Sequence, residues 1–274
     1  MPRILDYNGR EADRTVTVGS IIASKQSSTP LVQVTASSAE EAAAAEEAGI
    51  EMVVCMAGAV PAVREGSSCV FVTAAIDFEG AVTVDDLLGT SFEALQNGAD
   101  AVITARRLEA IERIASENIP VLGHLGFVPK QSTRFGGVRA VGRTLDEATS
   151  LWNQFRDLEN AGAFAVECEL IPANVMREIR ARTTLVTISL GSGRDADVMF
   201  LFNSDICGES PRTPRHARTY ADLAGMYAAI TRERVRALSA FRQDVLAGSF
   251  PSVDEVVTAD EDVVRRFITA IDRQ

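Results

Sequence analysis

From residue 31 onward the chain alternates short, continuously apolar runs with helical segments, and it does so eight times. The apolar runs are LVQVTA (31–36), MVVCMAG (52–58), CVFVTAAI (69–76), DAVITA (100–105), IPVLGH (119–124), AFAVECE (163–169), TLVTISLG (184–191) and DVMFLFNS (197–204). A strand apolar on both faces is buried on both faces, and in a parallel sheet the crossover helices supply the cover. Eight strand–helix units within 274 residues predict a closed (β/α)8 TIM barrel; a doubly wound open sheet is the alternative. Helix signals fall between the runs. Ser38 precedes a segment whose first turn holds Glu40 and Glu41, and Gly49 ends it; a hydroxyl cap and acidic residues there both satisfy the positive end of a helix.

Beyond Gly208 the pattern changes. A long polar connection leads to MYAAITRERVRALSAFRQDVLAG, an amphipathic helix ending at Gly248, and FPSVDEVV leads into a last helix. Met226, Ile230, Val235, Leu238 and Phe241 recur at helical spacing and give one apolar stripe. The chain reads as one barrel domain over 1–274, with C-terminal helices over 217–274 packed on the barrel or on a neighbouring subunit.

Composition removes several functions. With 27 Lys plus Arg against 38 Asp plus Glu, the formal charge is −11, a surface that repels phosphate backbones and anionic lipid. Nucleic acid and membranes are therefore not expected as partners, and no run is long and apolar enough to span a bilayer. The polar N-terminus lacks the apolar core of a secretory signal, so a cytoplasmic location is expected. Cys55, Cys69, Cys168 and Cys207 stand far apart without a CxxC pair and read as free thiols rather than a metal or disulfide set.

Barrel enzymes place reactive groups at the C-terminal tips of strands, and four places here carry such groups. Glu167 ends an apolar run; half desolvated, a carboxylate there shifts toward a range useful for abstracting a proton. The alternative is an acid that merely pairs with an arginine. His124, one of two histidines, sits between Gly123 and Leu125, where a neutral ring could donate to a substrate carboxylate or carbonyl; a core histidine is the competing reading. The loop FGGVRAVGR matches no nucleotide fingerprint and reads as an active-site loop whose Arg139 and Arg143 neutralise acids. SLGSGRDAD places Ser189 and backbone N–H groups where an anion could bind. His216, in an arginine-rich polar segment, reads as surface.

In order along the chain, VGSIIASKQSSTPLVQVTASS, AEEAGIEMVV, GHLGFVPKQSTRFGGVRAVGR, VECELIPANVMREI, FNSDICG and VLAGSFPS resemble the successive signatures of ketopantoate hydroxymethyltransferase. That resemblance implies a barrel of the phosphoenolpyruvate-mutase/isocitrate-lyase type. It also implies a Mg²⁺ ion chelating a 2-oxo acid, a glutamate removing the C3 proton, and methylenetetrahydrofolate as hydroxymethyl donor. Glu167 falls on the base and His124 on the strand-end histidine. The family's metal-binding positions fall instead on Met56, on Ala74 with Asp77 three residues later, and on Ile103 and Ala105. Met and Ala cannot replace the hard oxygen ligands that Mg²⁺ requires.

The expectation is therefore an aldol-type transferase or lyase acting on a small carboxylic acid, without the family's metal. Glu167 is its catalytic group, and His124, Ser189, Asp77 and Arg139 contact the substrate. The alternatives are a non-catalytic acid-binding or assembly paralogue, or the family's own reaction with Asp77 and Glu169 as relocated ligands. The resemblance further implies a homo-oligomer, with a decamer the first expectation and a dimer or tetramer next.

Overall fold

The computed structural model describes residues 3–76 and 80–273. Eight parallel strands close into a barrel in chain order, as the alternation predicts: β1 (Leu31–Thr35), β2 (Met52–Met56), β3 (Phe71–Ala75), β4 (Ala101–Ile103), β5 (Val121–Gly126), β6 (Ala165–Glu169), β7 (Val186–Leu190) and β8 (Val198–Leu201). Before the first strand, α1 (Val18–Ala23) carries Ile21, fully buried in the same cluster as the barrel's interior side chains. The crossovers are α2 (Ala39–Glu47), α3 (Val60–Gly66), α4 (Val84–Gln96), α5 (Leu108–Ala115), α6 (Leu145–Asn160) and α7 (Ala173–Arg180). Directly after β8 comes the four-residue α8 (Asn203–Ile206).

Local chemistry sets these boundaries. The Ser38 hydroxyl accepts from the Glu41 N–H and starts α2 with Glu40 and Glu41 in its first turn. Thr83 and Asp86 form a reciprocal capping box on α4, and Thr144 caps α6. Each satisfies N–H groups that have no partner within the helix.

Two apolar clusters share the strands by the alternation of successive side chains. Val34, Val53, Val72, Val102, Val166 and Cys168 face the helices. Met52, Val54, Phe71, Ile103, Leu122, Ile188 and Phe200 fill the barrel. Followed around the ladders, inward side chains fall into levels of four drawn from alternate strands, as the tilt of such barrels requires. Gln33, Thr73, Leu122 and Ile188 make one level. Val54, Ile103, Glu167 and Phe200 make the next toward the C-terminal mouth. Thr35, Ala75, His124 and Leu190 lie above that.

The chain divides into two compact units, Met1–Tyr220 and Ala221–Gln274, where the sequence suggested one body with a helical extension from 217. The second unit holds α9 (Leu223–Ala247) and α10 (Glu261–Ile271). Asp222 caps the start of α9, and Gly248, in the left-handed region, ends it; the Phe241 and Phe250 rings pack edge to face. The stripe residues Met226, Ile230, Val235, Leu238 and Phe241 are each more than half exposed. Among the described residues no helix is long and apolar enough to cross a membrane. All four cysteines are free. Cys55 and Cys168 are buried, and burial pushes the Cys55 thiol up to about 12 and the Cys168 thiol higher still, so neither is a thiolate near neutral pH.

Candidate active site

The β5–β6 ladder explains why two distant sequence positions meet. His124 stands directly opposite Glu167, and Gly126 opposite Glu169. Residues 124, 167 and 169 all fall on the barrel-facing side, so one imidazole lies between two carboxylates at the mouth. His124 Nε2 lies 3.1 Å from Glu169 Oε2 and 3.2 Å from the Phe127 carbonyl oxygen. Nδ1 is 3.8 Å from Glu167 Oε2. Both neighbours of Nε2 are acceptors, so Nε2 carries a proton and Nδ1 is the nitrogen that titrates.

Burial alone would favour neutral His124. The hydrogen bond to Glu169 and the charges of Glu167 and Glu169 outweigh it, and the pKa is raised. These contacts thus shift the His124 ring toward its protonated form. An NMR titration of the His124 ring should give a midpoint above the ordinary value of about 6.5; a midpoint below it would contradict this arrangement. Because the folded pKa is the higher, the stabilisation from this pair of contacts is complete below the unfolded pKa. It fades as pH rises through the folded value.

Gly126 locks the two strand ends together. Its φ is +89°, and a Cβ would sit 2.2 Å from the Glu169 carbonyl oxygen, which accepts the Phe127 N–H at 2.8 Å. Only glycine allows both the left-handed conformation and that approach. Deeper in the barrel, the Gln33 amide donates from Nε2 to Glu167 Oε1 at 3.2 Å. Neither Gln33 nor the pairing of Glu169 with His124 was foreseen from the sequence. The available signal was a glutamine inside the apolar strand LVQVTA, at a position that alternation turns inward.

Other expected site residues lie elsewhere. Ser189 alternates with Ile188 and Leu190, which face inward, so its side chain points to the helix side of β7. There its hydroxyl donates to the Gly193 carbonyl at 2.7 Å and accepts from the Ser192 N–H. These bonds shape the β7 loop. Arg139 is committed to Glu147 of α6 at 2.7 Å and stacks over the Phe135 ring. That bond, with the Arg143 and Gly142 N–H groups, holds the Glu147 carboxyl down to about 2. Arg139 thus neutralises an acid, as expected of the loop, but not one beside Glu167. Asp77 lies outside the described residues.

Mg²⁺ is tested by the donors present. Met56 ends β2, half exposed at the mouth. On β3, Ala74 faces the helices, so the position turned inward is its neighbour Ala75, which packs against the barrel cluster. Ile103 is part of the apolar filling. None of these side chains offers oxygen. Among the described residues at the mouth, the Glu167 carboxylate is engaged by Gln33 and that of Glu169 by His124. Among the described residues no group of three or more His, Cys, Asp or Glu could hold a metal ion. Among the described residues, these donors do not fit a hard divalent cation.

Comparison with known proteins agrees with the architecture. The model of the ketopantoate hydroxymethyltransferase family matches residues 53–253. A 3-methyl-2-oxobutanoate hydroxymethyltransferase of Thermobifida fusca (strain YX) is 33% identical over 270 residues, covering 89% of this chain and 94% of the relative. One from Thermotoga maritima is 34% identical over 204 residues, 73% of each chain. Among solved structures, phosphonopyruvate hydrolase in complex with oxalate and Mg²⁺ superposes with a TM-score of 0.50 at 15% identity, covering 93% of this chain and 99% of that one. For 2,3-dimethylmalate lyase, a PEP mutase/isocitrate lyase superfamily member, the TM-score is 0.51 at 12% identity, with 94% and 100% covered. The structural likenesses speak to the fold alone. The sequence match runs from β2 into the second unit and includes the strand ends that carry His124 and Glu167. With the barrel and those paired strand ends in place, the chain belongs to the ketopantoate hydroxymethyltransferase family.

Proposed function

We propose that this protein makes or breaks a carbon–carbon bond next to the carbonyl of a small 2-oxo acid, and does so without a divalent cation. The observation that carries the reading is the Glu167–His124–Glu169 cluster, with Glu167 buried, at the strand ends of this family's barrel. The relatives' name points to 3-methyl-2-oxobutanoate as the first substrate to test. Glu167 takes the proton from C3, and the electron pair moves through C2 onto the ketone oxygen. The His124 imidazolium, held by Glu169 and the Phe127 carbonyl, faces the developing oxyanion and supplies the positive charge that a metal would otherwise supply. C3 then attacks a one-carbon electrophile at the oxidation level of formaldehyde, whose oxygen takes up a proton and becomes the new hydroxyl. Where methylenetetrahydrofolate is the source, one water breaks its two carbon–nitrogen bonds, supplies that oxygen and releases tetrahydrofolate. In the reverse direction the same groups cleave the bond.

The test is exchange of the C3 proton of 3-methyl-2-oxobutanoate in D₂O, followed by NMR with excess EDTA and separately with Mg²⁺. Exchange that persists in EDTA supports the reading. Strict dependence on Mg²⁺ overturns its metal-free part and returns the family reaction with relocated ligands, Asp77 and Glu169 among them. The loss of oxygen donors at Met56, Ala75 and Ala105 also favours a second reading, a non-catalytic subunit that binds small acids. A thermal shift with such acids, without exchange or product under any condition, would establish it.

The exposed stripe on α9 supports a homo-oligomer, and a decamer is our first proposal. Light scattering at micromolar concentration is expected to give a multiple of 29.4 kDa; a monomer mass would refute it.

A further inference from the structure

Two side-chain oxygens in the barrel are buried without a hydrogen-bond partner: Gln33 Oε1 and Thr73 Oγ1, both on residues with no exposed surface. They belong to the same level, immediately below the one that contains Glu167. A buried polar atom left unpaired is costly, and native interiors rarely tolerate one. Here two occur together, and one belongs to the residue whose amide N–H donates to the candidate base. An apolar pair, such as the Leu122 and Ile188 of the same level, would have filled the space at no such cost.

We propose that Gln33 is a positioning residue for Glu167, and that its amide oxygen and the Thr73 hydroxyl together hold one buried water beneath that carboxylate. A buried water typically makes about three hydrogen bonds to groups that otherwise lack partners, and an amide oxygen and a hydroxyl supply two. With its oxygen anchored in this way, the Gln33 amide presents its N–H, rather than its oxygen, to Glu167. The orientation matters because an amide N–H stabilises the ionised carboxylate, the form that accepts a proton. His124 of β5 faces Glu167 and also holds Glu169, two residues farther along β6. Gln33 of β1 adds a neutral donor, and the register partner on β7, Ile188, adds none. The role of Glu167 as base rests on the function proposed above; the positioning contact and the water do not.

The test is therefore a readout that needs no turnover. The carboxyl band of Glu167 is titrated by infrared spectroscopy and assigned by its absence in Glu167→Gln. In Gln33→Leu, similar in volume but without a donor, the Glu167 midpoint is expected to rise by about one pH unit or more. An unchanged midpoint in a folded Gln33→Leu protein overturns the positioning role. A high-resolution crystal structure is expected to show a water within hydrogen-bonding distance of both Gln33 Oε1 and Thr73 Oγ1, and to lose it in Thr73→Val. No density there in the wild type overturns the water site, whether or not Gln33→Leu folds. A shifted midpoint in a protein that turns over no 2-oxo acid keeps this inference and removes the function instead.

Discussion

Replacing Glu167 with glutamine is expected to slow C3 proton exchange of the 2-oxo acid by about 10²–10⁴-fold, the usual contribution of a positioned general base. The size of the effect follows from where the carboxylate sits. Glu167 is 6% exposed, so bulk water cannot readily substitute for it, and Glu169 is not free to take over. His124 Nε2 is already protonated toward Phe127 and Glu169, and Glu169 is held by that same nitrogen. Glutamine keeps the size of the side chain and can still bond to the Gln33 amide, so the barrel should remain folded. Exchange rates measured by NMR, alongside melting curves of both proteins, check this. A folded Glu167→Gln protein with wild-type exchange would remove Glu167 from the chemistry.

The largest stability effect is expected at the opposite end of the barrel. Asp197 precedes β8 and is 2% exposed. Its carboxylate accepts from the Thr187 N–H and hydroxyl, each at 2.8 Å, from Lys25 at 3.1 Å and from Arg180 at 2.9 Å. Removing one partner of such a buried set leaves the others uncompensated. Asp197→Ala should therefore cost about 3–5 kcal/mol, a fall in melting temperature on the order of 10 °C for a protein of this size. A change within about 2 °C would contradict this. Burial raises the Asp197 pKa, but the Thr187 N–H and Lys25 more than offset it and the net shift is downward. With the folded pKa below the unfolded value of about 3.9, the contribution is complete above that value. It is lost as pH falls through the folded pKa. Melting temperature against pH should thus fall less steeply in acid for Asp197→Ala than for the wild type.

The barrel was legible because its signal is local and repeated. Eight continuous apolar runs can be buried on both faces only in a parallel sheet, and the cap at Ser38 needs no tertiary context to act. Glu167 and His124 were legible because polar residues ending apolar strands mark a barrel mouth. The face that Ser189 takes was not legible, for a simple reason. Being near a strand end says nothing about which face a side chain takes, and one step of alternation sends Ser189 to the helices and Ile188 to the interior. The same step moves the mouth position on β3 from Ala74 to Ala75. Arg139 was placed correctly in its loop, but its partner, Glu147, is set by how α6 returns to the barrel.

The sequence by itself determined the eightfold alternation and the family, because each depends on residue type and order along the chain. Only the tertiary structure decided that His124 lies between Glu167 and Glu169 and that Gln33 reaches Glu167 from 134 residues away. Those contacts depend on the register between strands and on the closure that brings β1 across from β6. Register and closure are fixed by packing of the whole barrel, and no short stretch of chain encodes them.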